Sequence, residues 1–168
     1  MILVLMNIFM RCTKSAKKKE EGFIKEIIFE KEVSTLFSVL FLAIFEGPYS
    51  ITLDTLTVLL IANDHDLYDP LRHRFVHKLN QIDKVNIDTK FKFLEEHNFS
   101  SFIRRKDQEL RNRIAHNNFG LGDNGEFLID QKEVDIKKKC SDLLNFVNRK
   151  EKQFSESFGK TFKLTNIK

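Results

Sequence analysis

Turn-forming residues are scarce in this sequence. Its 168 residues include only six glycines and two prolines, the residue types that supply the backbone conformations of tight turns. A sheet of many strands needs such turns at each reversal, so a many-stranded β protein is disfavoured. We therefore expect an all-α fold, and the length is that of one domain with its own core.

Cysteine and long apolar runs are also scarce. Cys12 and Cys140 stand in no Cys or His spacing typical of a metal site, so we predict no metal or cofactor and two free thiols in a reducing compartment. The apolar segment Met1–Met10 is followed, not preceded, by its first basic residue, unlike a secretory signal. The longest later apolar run, Leu36–Phe45, has about half the length of a membrane span. We expect a cytoplasmic protein with no membrane partner.

The composition is globular and only mildly basic. Hydrophobic residues make up 42% and charged residues 31%, with 28 Lys and Arg against 24 Asp and Glu. The net charge of +4 suits a polyanionic partner, but many proteins that bind no nucleic acid carry as much. There are seventeen Phe, two Tyr and no Trp, which favours an aromatic core with few of the polar-tipped rings typical of binding surfaces.

Hydrophobic spacing divides the chain into a poorly ordered N-terminal arm (1–22), a helical domain (23–152) and a C-terminal tail (153–168). Within the domain, apolar residues recur at three- and four-residue steps, which is typical of amphipathic helices. This predicts a bundle of five to six helices with a short hairpin or loop near Phe127–Ile129. The predicted helices are Phe23–Glu46, Thr52–Ala62, Pro70–Leu79, Thr89–His97, Phe102–Asn117 and Lys132–Lys152.

Caps and breakers set the predicted helix ends. Gly47-Pro48 is predicted to stop the first helix, because proline lacks the N–H that a helix interior needs. Asp69 is the predicted N-cap of the helix that begins at Pro70, and Asp88 is that of the next helix. Ser100 or Ser101 is the predicted cap of the late helix.

The second half of the first helix has an unusually wide apolar face. Phe37, Phe41, Leu42 and Phe45 widen it, so that half is predicted to be buried nearly all round, in the core or in a subunit contact. A homodimer is the corresponding hypothesis.

The segment from Arg111 to His116 carries the residues best suited to chemistry. Cleavage of RNA without a metal needs a group that removes the 2′-hydroxyl proton or protonates the 5′-leaving oxygen, and imidazole titrates in the right range. It also needs a fixed positive charge for the phosphorane-like transition state, which a guanidinium supplies. We predict His116 as acid or base and Arg111 as the stabilising cation.

Helix geometry constrains this pair. Five residues turn a regular helix by about 500°, which leaves Arg111 and His116 about 140° apart. Asn112 and His116 are four residues apart on one face, so the Asn112 amide is placed to hydrogen-bond the ring and orient it. Arg111 then joins His116 either through a helix end that loosens at Asn117-Asn118 or through a second subunit across a two-fold axis.

The pattern Arg-Asn-x-x-Ala-His-Asn, followed by a Gly-Asp-x-Gly turn and one more helix, resembles the HEPN superfamily with its R-x4-6-H motif. The resemblance implies an all-helical, commonly dimeric domain acting as a metal-independent endoribonuclease of the toxin or defence type. It implies Arg111, Asn112 and His116 as catalytic residues, and RNA and an antitoxin protein as partners. The alternative within the same resemblance is a non-catalytic module that binds RNA or a nucleotidyltransferase-like partner.

The same residues also have simpler, non-catalytic interpretations. Arg and His are favoured in the last turn of any helix by the helix dipole and the final carbonyls, so the motif alternatively caps a helix in a structural dimer. Further RNA contacts are predicted at Arg104, Arg105, Arg113 and Asn117, although a run of charges is also typical of a solvated face.

Histidines outside the motif are weaker candidates. His65 lies between Asp64 and Asp66 and is read as a helix-ending loop, not a metal site. Arg72, His73, Arg74 and His77 form a second basic patch, predicted to be a solvated surface or an RNA backbone contact.

Overall fold

The computed structural model describes residues 22–76 and 79–165, and the side chains of residues 28–76 and 81–156. The predicted arm at residues 1–22 lies outside this range except for Gly22. Within it the protein is mostly helical, with a few short strands.

The first two helices form one continuous stretch. Helix α1 (Gly22–Ile44) passes through a π-helical turn (Phe45–Tyr49) directly into α2 (Ser50–Ala62). The predicted stop at Gly47-Pro48 is therefore wrong. A π turn uses a wider hydrogen-bond spacing, which accommodates a residue that has no N–H to donate and whose ring crowds the preceding turn. The Ser50 N–H bonds to the carbonyls of Gly47 and Phe45, so the ladder resumes at once.

Because the two helices are continuous, the apolar helical stretch is longer than predicted from the sequence. Ile28–Ala62 is a 35-residue helical stretch with a window of mean hydropathy 1.6, long and apolar enough to cross a membrane. Core helices of soluble proteins and N-terminal signal sequences share these properties. Here the inward face of the stretch is core, since Phe41, Ile44 and Leu53 are buried almost completely.

A β-hairpin replaces the predicted helix Pro70–Leu79. Strands β1 (Leu67–Asp69) and β2 (Arg74–Val76) pair antiparallel. The Asp69 carboxylate accepts from the Leu71 N–H at 3.1 Å and from the Arg72 guanidinium at 2.9 Å. Asp69 thus closes a turn where an N-cap was predicted, and His73 has φ 48°, which a helix does not allow.

The connector after the hairpin leads into the third helix. A 3-10 segment (Leu79–Lys84) precedes α3 (Ile87–Glu96). The cap of α3 is Asn86, whose side chain accepts from the Asp88 N–H at 2.8 Å, so the predicted cap at Asp88 lies two residues too late.

The late helix begins later than predicted. Ser100–Phe102 is a separate 3-10 turn and α4 spans Arg105–Ala115, with Arg104 at the N-cap and no side-chain cap. Ser100 and Ser101 are therefore not its cap. The buried Tyr49 hydroxyl donates to the Phe102 carbonyl and accepts from the Arg104 N–H, each at 3.0 Å, which fixes the break between the two segments.

A three-stranded antiparallel sheet follows the motif helix, as the predicted hairpin near Phe127–Ile129 anticipated in part. Its strands are β3 (Gly120–Leu121), β4 (Phe127–Ile129) and β5 (Lys132–Glu133). Gly125 has φ 89°, and a Cβ there would lie 2.6 Å from the Glu30 Cβ, while its carbonyl accepts from Ser34 Oγ at 2.7 Å. The sheet thus rests closely on α1.

Helix α5 (Ile136–Thr165) completes the core against α1. It begins four residues after the predicted start at Lys132, because Lys132 and Glu133 join the sheet. It also continues past Lys152 through most of the predicted tail. Phe41, Phe91, Leu94 and Leu143 are fully buried in one core that α1, α3 and α5 share, and this core is aromatic, as the abundance of Phe indicated.

Candidate functional site

The motif lies at the C-terminal end of α4, which two apolar side chains hold on the core. Leu110 and Ile114 are buried, at 8% and 4% exposure. Arg111 and Asn112 are half-buried, whereas Arg113 and His116 are exposed. The core-facing stripe therefore turns the three predicted catalytic residues toward the protein surface.

Arg111 is held by a carboxylate that the sequence did not point to. Its Nε donates to Glu46 Oε1 at 2.5 Å, and its Nη2 pairs with the same oxygen. Its Nη1 donates to Asn112 Oδ1 at 3.0 Å. Glu46 belongs to the π-helical turn, 65 residues earlier in the chain. A pairing this distant in sequence leaves no local signal, and only the continuous α1–α2 geometry brings the two groups together.

The predicted hydrogen bond from the Asn112 amide to the His116 ring is wrong, because the Asn112 side chain turns to Arg111 instead. The Asn112 carbonyl accepts from the His116 N–H at 3.1 Å, and its side-chain oxygen accepts from Arg111. The imidazole is exposed and forms no hydrogen bond or ion pair with the described part of the chain. Its two nitrogens are free to meet a ligand.

The helix ends in a defined cap. Asn117 has φ 55°, its N–H donates to the Ile114 carbonyl at 3.0 Å, and the Asn118 N–H donates to the Arg113 carbonyl at 2.8 Å. These two bonds around a left-handed residue form a Schellman motif, in which Asn is a favoured substitute for Gly. The helix thus stays regular to Ala115, and Arg111 and His116 diverge within one protomer.

The predicted RNA-binding arginines are all paired with carboxylates. Arg104 pairs with the buried Asp107, while Arg105 donates to Glu95 at 2.7 and 3.2 Å. Arg113 lies 3.1 Å from both oxygens of Asp130. Phosphate contacts at these positions have to compete with an existing ion pair.

A shallow basic cavity lies at the other end of α4. It measures about 400 Å³ and is lined by Arg104, Arg105, Lys106 and Lys139, with Glu95 and Asp107. Lys106 is exposed and forms no ion pair with the described residues. From Lys106 to His116 the helix rises about 15 Å, a span that a few nucleotides cover.

The histidines at 65, 73 and 97, which the structure describes, belong to no cluster that could hold a metal. His65 packs edge-on against His97 at 4.4 Å, and His97 Nδ1 lies 2.7 Å from the Phe93 carbonyl. No group of three or more metal-ligating side chains occurs in the described ranges. His77 of the second basic patch lies outside them.

The chain matches no protein-family model, no curated protein and no solved structure. The HEPN resemblance therefore depends on the motif itself.

Proposed function

We propose that this protein is a metal-independent endoribonuclease of the toxin or defence type that acts in the cytoplasm as a homodimer. The observation that supports it is the end of α4, where Arg111 is fixed by Glu46 and Asn112 while the His116 ring stands exposed on a different face. The helix thus presents a held cation and a free acid–base group, which a second protomer would bring together.

The chemistry follows from these groups. His116 removes the proton of the 2′-hydroxyl or protonates the 5′-leaving oxygen, and Arg111 stabilises the negative charge on the phosphorane-like transition state. Asn112 orients the guanidinium. Attack by the 2′-oxygen leaves a 2′,3′-cyclic phosphate and a 5′-hydroxyl.

A second protomer is needed to bring the groups together, because Arg111 and His116 diverge on a regular helix. An exposed stripe on α1 supports such a contact: Leu36 and Val39 are 47% and 57% exposed, and Ala43 follows at the same helical spacing. Glu46 lies three residues after Ala43 on the same face. The exposed apolar stripe therefore ends beside Glu46, the carboxylate that pairs with Arg111.

The first test is cleavage of a mixed RNA pool in EDTA. We expect the wild type to cut and to leave cyclic phosphate ends, and Arg111→Ala and His116→Ala to lose at least about 100-fold in rate. Lys92→Ala and His65→Asn are the control variants, since both residues are exposed and lie outside the motif and outside the predicted RNA contacts. Equal cleavage by the folded motif variants contradicts catalysis.

The dimer has its own test by light scattering after size exclusion. Val39→Glu places a charge in the α1 stripe and is expected to give a monomer without cleavage. Leu71→Glu, at a residue that is 68% exposed in the hairpin turn, is expected to leave both properties unchanged. A wild-type monomer that still cuts RNA removes the composite site.

The alternative is a non-catalytic module that binds RNA or a nucleotidyltransferase-like partner. The ion pairs of Arg104, Arg105, Arg111 and Arg113 favour the protein-partner form of this alternative, because they lower the positive charge available to a phosphate. RNA binding that falls with salt but survives His116→Ala, without cleavage, identifies this alternative.

A further inference from the structure

A second cavity lies away from the motif, between α2, the Ser100–Phe102 turn and α5. Its volume is about 650 Å³, within the usual range for small-molecule sites. Six of its eleven lining residues are apolar. The apolar lining residues are Leu56, Leu59, Leu60, Phe99, Phe102 and Phe154.

One buried cation lines this cavity. Lys150 is only 9% exposed, and its Nζ lies 3.2 Å from Ser101 Oγ and 4.4 Å from the centre of the Phe102 ring. It has no carboxylate partner among the described residues. Burial and the charge of Arg149 lower the pKa of Lys150. Lysines this deeply buried are normally paired with an anion.

The surroundings of Lys150 carry an excess of positive charge. Arg104, Arg149 and Lys150 all lie within 6 Å of the centre of the Phe146 ring, at 4.9, 5.9 and 5.7 Å. Of the three, only Arg104 has a carboxylate partner within the described ranges, which is Asp107. Arg104 and Arg149 do not line the cavity, but their charges lie close to Lys150 and favour an anion at its ammonium.

The acid on the rim does not neutralise this site. Glu156 lines the cavity, but its side chain is 59% exposed and its carboxylate lies 3.9 Å from Lys152. A carboxylate entering the cavity thus finds the Lys150 ammonium unpaired.

We propose that this cavity binds an amphipathic carboxylate, a fatty acid-like ligand with its carboxylate on Lys150 and Ser101 and its apolar chain against Leu56, Leu59 and Phe154. The buried ammonium supplies the charge, the hydroxyl supplies a donor, and the apolar wall supplies the area that an alkyl chain buries. This site does not depend on ribonuclease activity.

Calorimetric titration with decanoate, below its micelle concentration, tests the proposal, with decanol as the neutral probe of the same chain length. We expect wild-type protein to bind decanoate at least about tenfold more tightly than decanol. Lys150→Met keeps the packing against Phe102 and is expected to remove that preference. Lys152→Met, at a side chain that is 78% exposed, is the matched control and is expected to retain it.

A second variant locates the ligand. Leu59→Trp fills the cavity and is expected to abolish binding of both probes, with folding verified by circular dichroism. The proposal is overturned if decanoate does not bind, if the two probes bind equally, if the preference survives Lys150→Met, or if folded Leu59→Trp binds as the wild type does.

Discussion

Replacing Glu46 with glutamine separates the structural and the RNA-binding roles of Arg111. Glu46 is 52% exposed and Arg111 30% exposed in their side chains, so solvent screens the pair. A partly exposed ion pair contributes about 0.5 to 1 kcal/mol to folding. We expect Glu46→Gln to lower the free energy of unfolding by no more than this, because the amide oxygen still accepts from the guanidinium.

The effect on RNA has the opposite sign. The Glu46 carboxylate repels any phosphate that Arg111 contacts. At about 6 Å the repulsion is about 0.7 kcal/mol in water and about 2.8 kcal/mol at an effective dielectric constant of 20, and physiological salt reduces it further. We therefore expect Glu46→Gln to bind RNA about fivefold more tightly, which corresponds to about 1 kcal/mol.

Fluorescence anisotropy of a labelled single-stranded RNA measures the change in RNA affinity. Every protein carries His116→Ala, so that the RNA is not cleaved. Glu30→Gln is the control, since Glu30 pairs with Lys137 at 3.0 Å and removal of that charge is expected to leave affinity within about twofold. In Arg111→Ala the Glu46 substitution is expected to give a much smaller gain. Unchanged or weaker RNA binding by Glu46→Gln refutes the view that Arg111 contacts phosphate.

Four further substitutions, at three positions, test the fold. Asp69→Asn is expected to cost about 1.5 to 3 kcal/mol in urea unfolding at pH 7, as a hydrogen-bonded charge is lost. Arg72 holds the pKa of Asp69 below its ordinary value, so this stabilisation is present above about pH 4 and is lost as the pH falls through the folded pKa, where wild type and variant should converge. Asn117→Gly should keep or raise the melting temperature, whereas Asn117→Val should cost about 1 to 2 kcal/mol, and equal values would contradict the Schellman cap. Leu143→Ala, at a fully buried residue, should cost about 2 to 5 kcal/mol, and a loss below 1 kcal/mol in urea unfolding would contradict its place in the core.

Local sequence signals located the helices but not all their boundaries. The helical character and the aromatic core followed from composition and periodicity, and turn residues indicated a hairpin after the motif, to which the structure adds a third strand. The sequence failed where tertiary contacts override a local rule. Pro48 is accommodated by a π turn, so the helix does not stop there. The Tyr49 hydroxyl fixes a break before α4, so Ser100 and Ser101, which were predicted to cap that helix, lie in a separate turn.

The hairpin was missed for a related reason. Asp69 before Pro70 suits a helix start and a turn equally well, and burial of Leu67 and Val76 in a small core with Ile82 and Val85 selects the turn. The N-cap prediction used only the residues next to Asp69 in sequence. The small core brings together β1, β2, the connector that follows them and Phe93 of α3.

The sequence by itself determined that the protein is mostly helical and that Arg111, Asn112 and His116 share one helix end, because both depend on spacing along the chain. Only the tertiary structure decided that Arg111 pairs with Glu46, that Arg105 and Arg113 pair with Glu95 and Asp130, and that Lys150 is buried without a carboxylate partner among the described residues. The Arg104–Asp107 pair, at a three-residue spacing, is of the kind that spacing along the chain can suggest. The other pairs join different segments, and the distances between those segments exist only once the helices have packed.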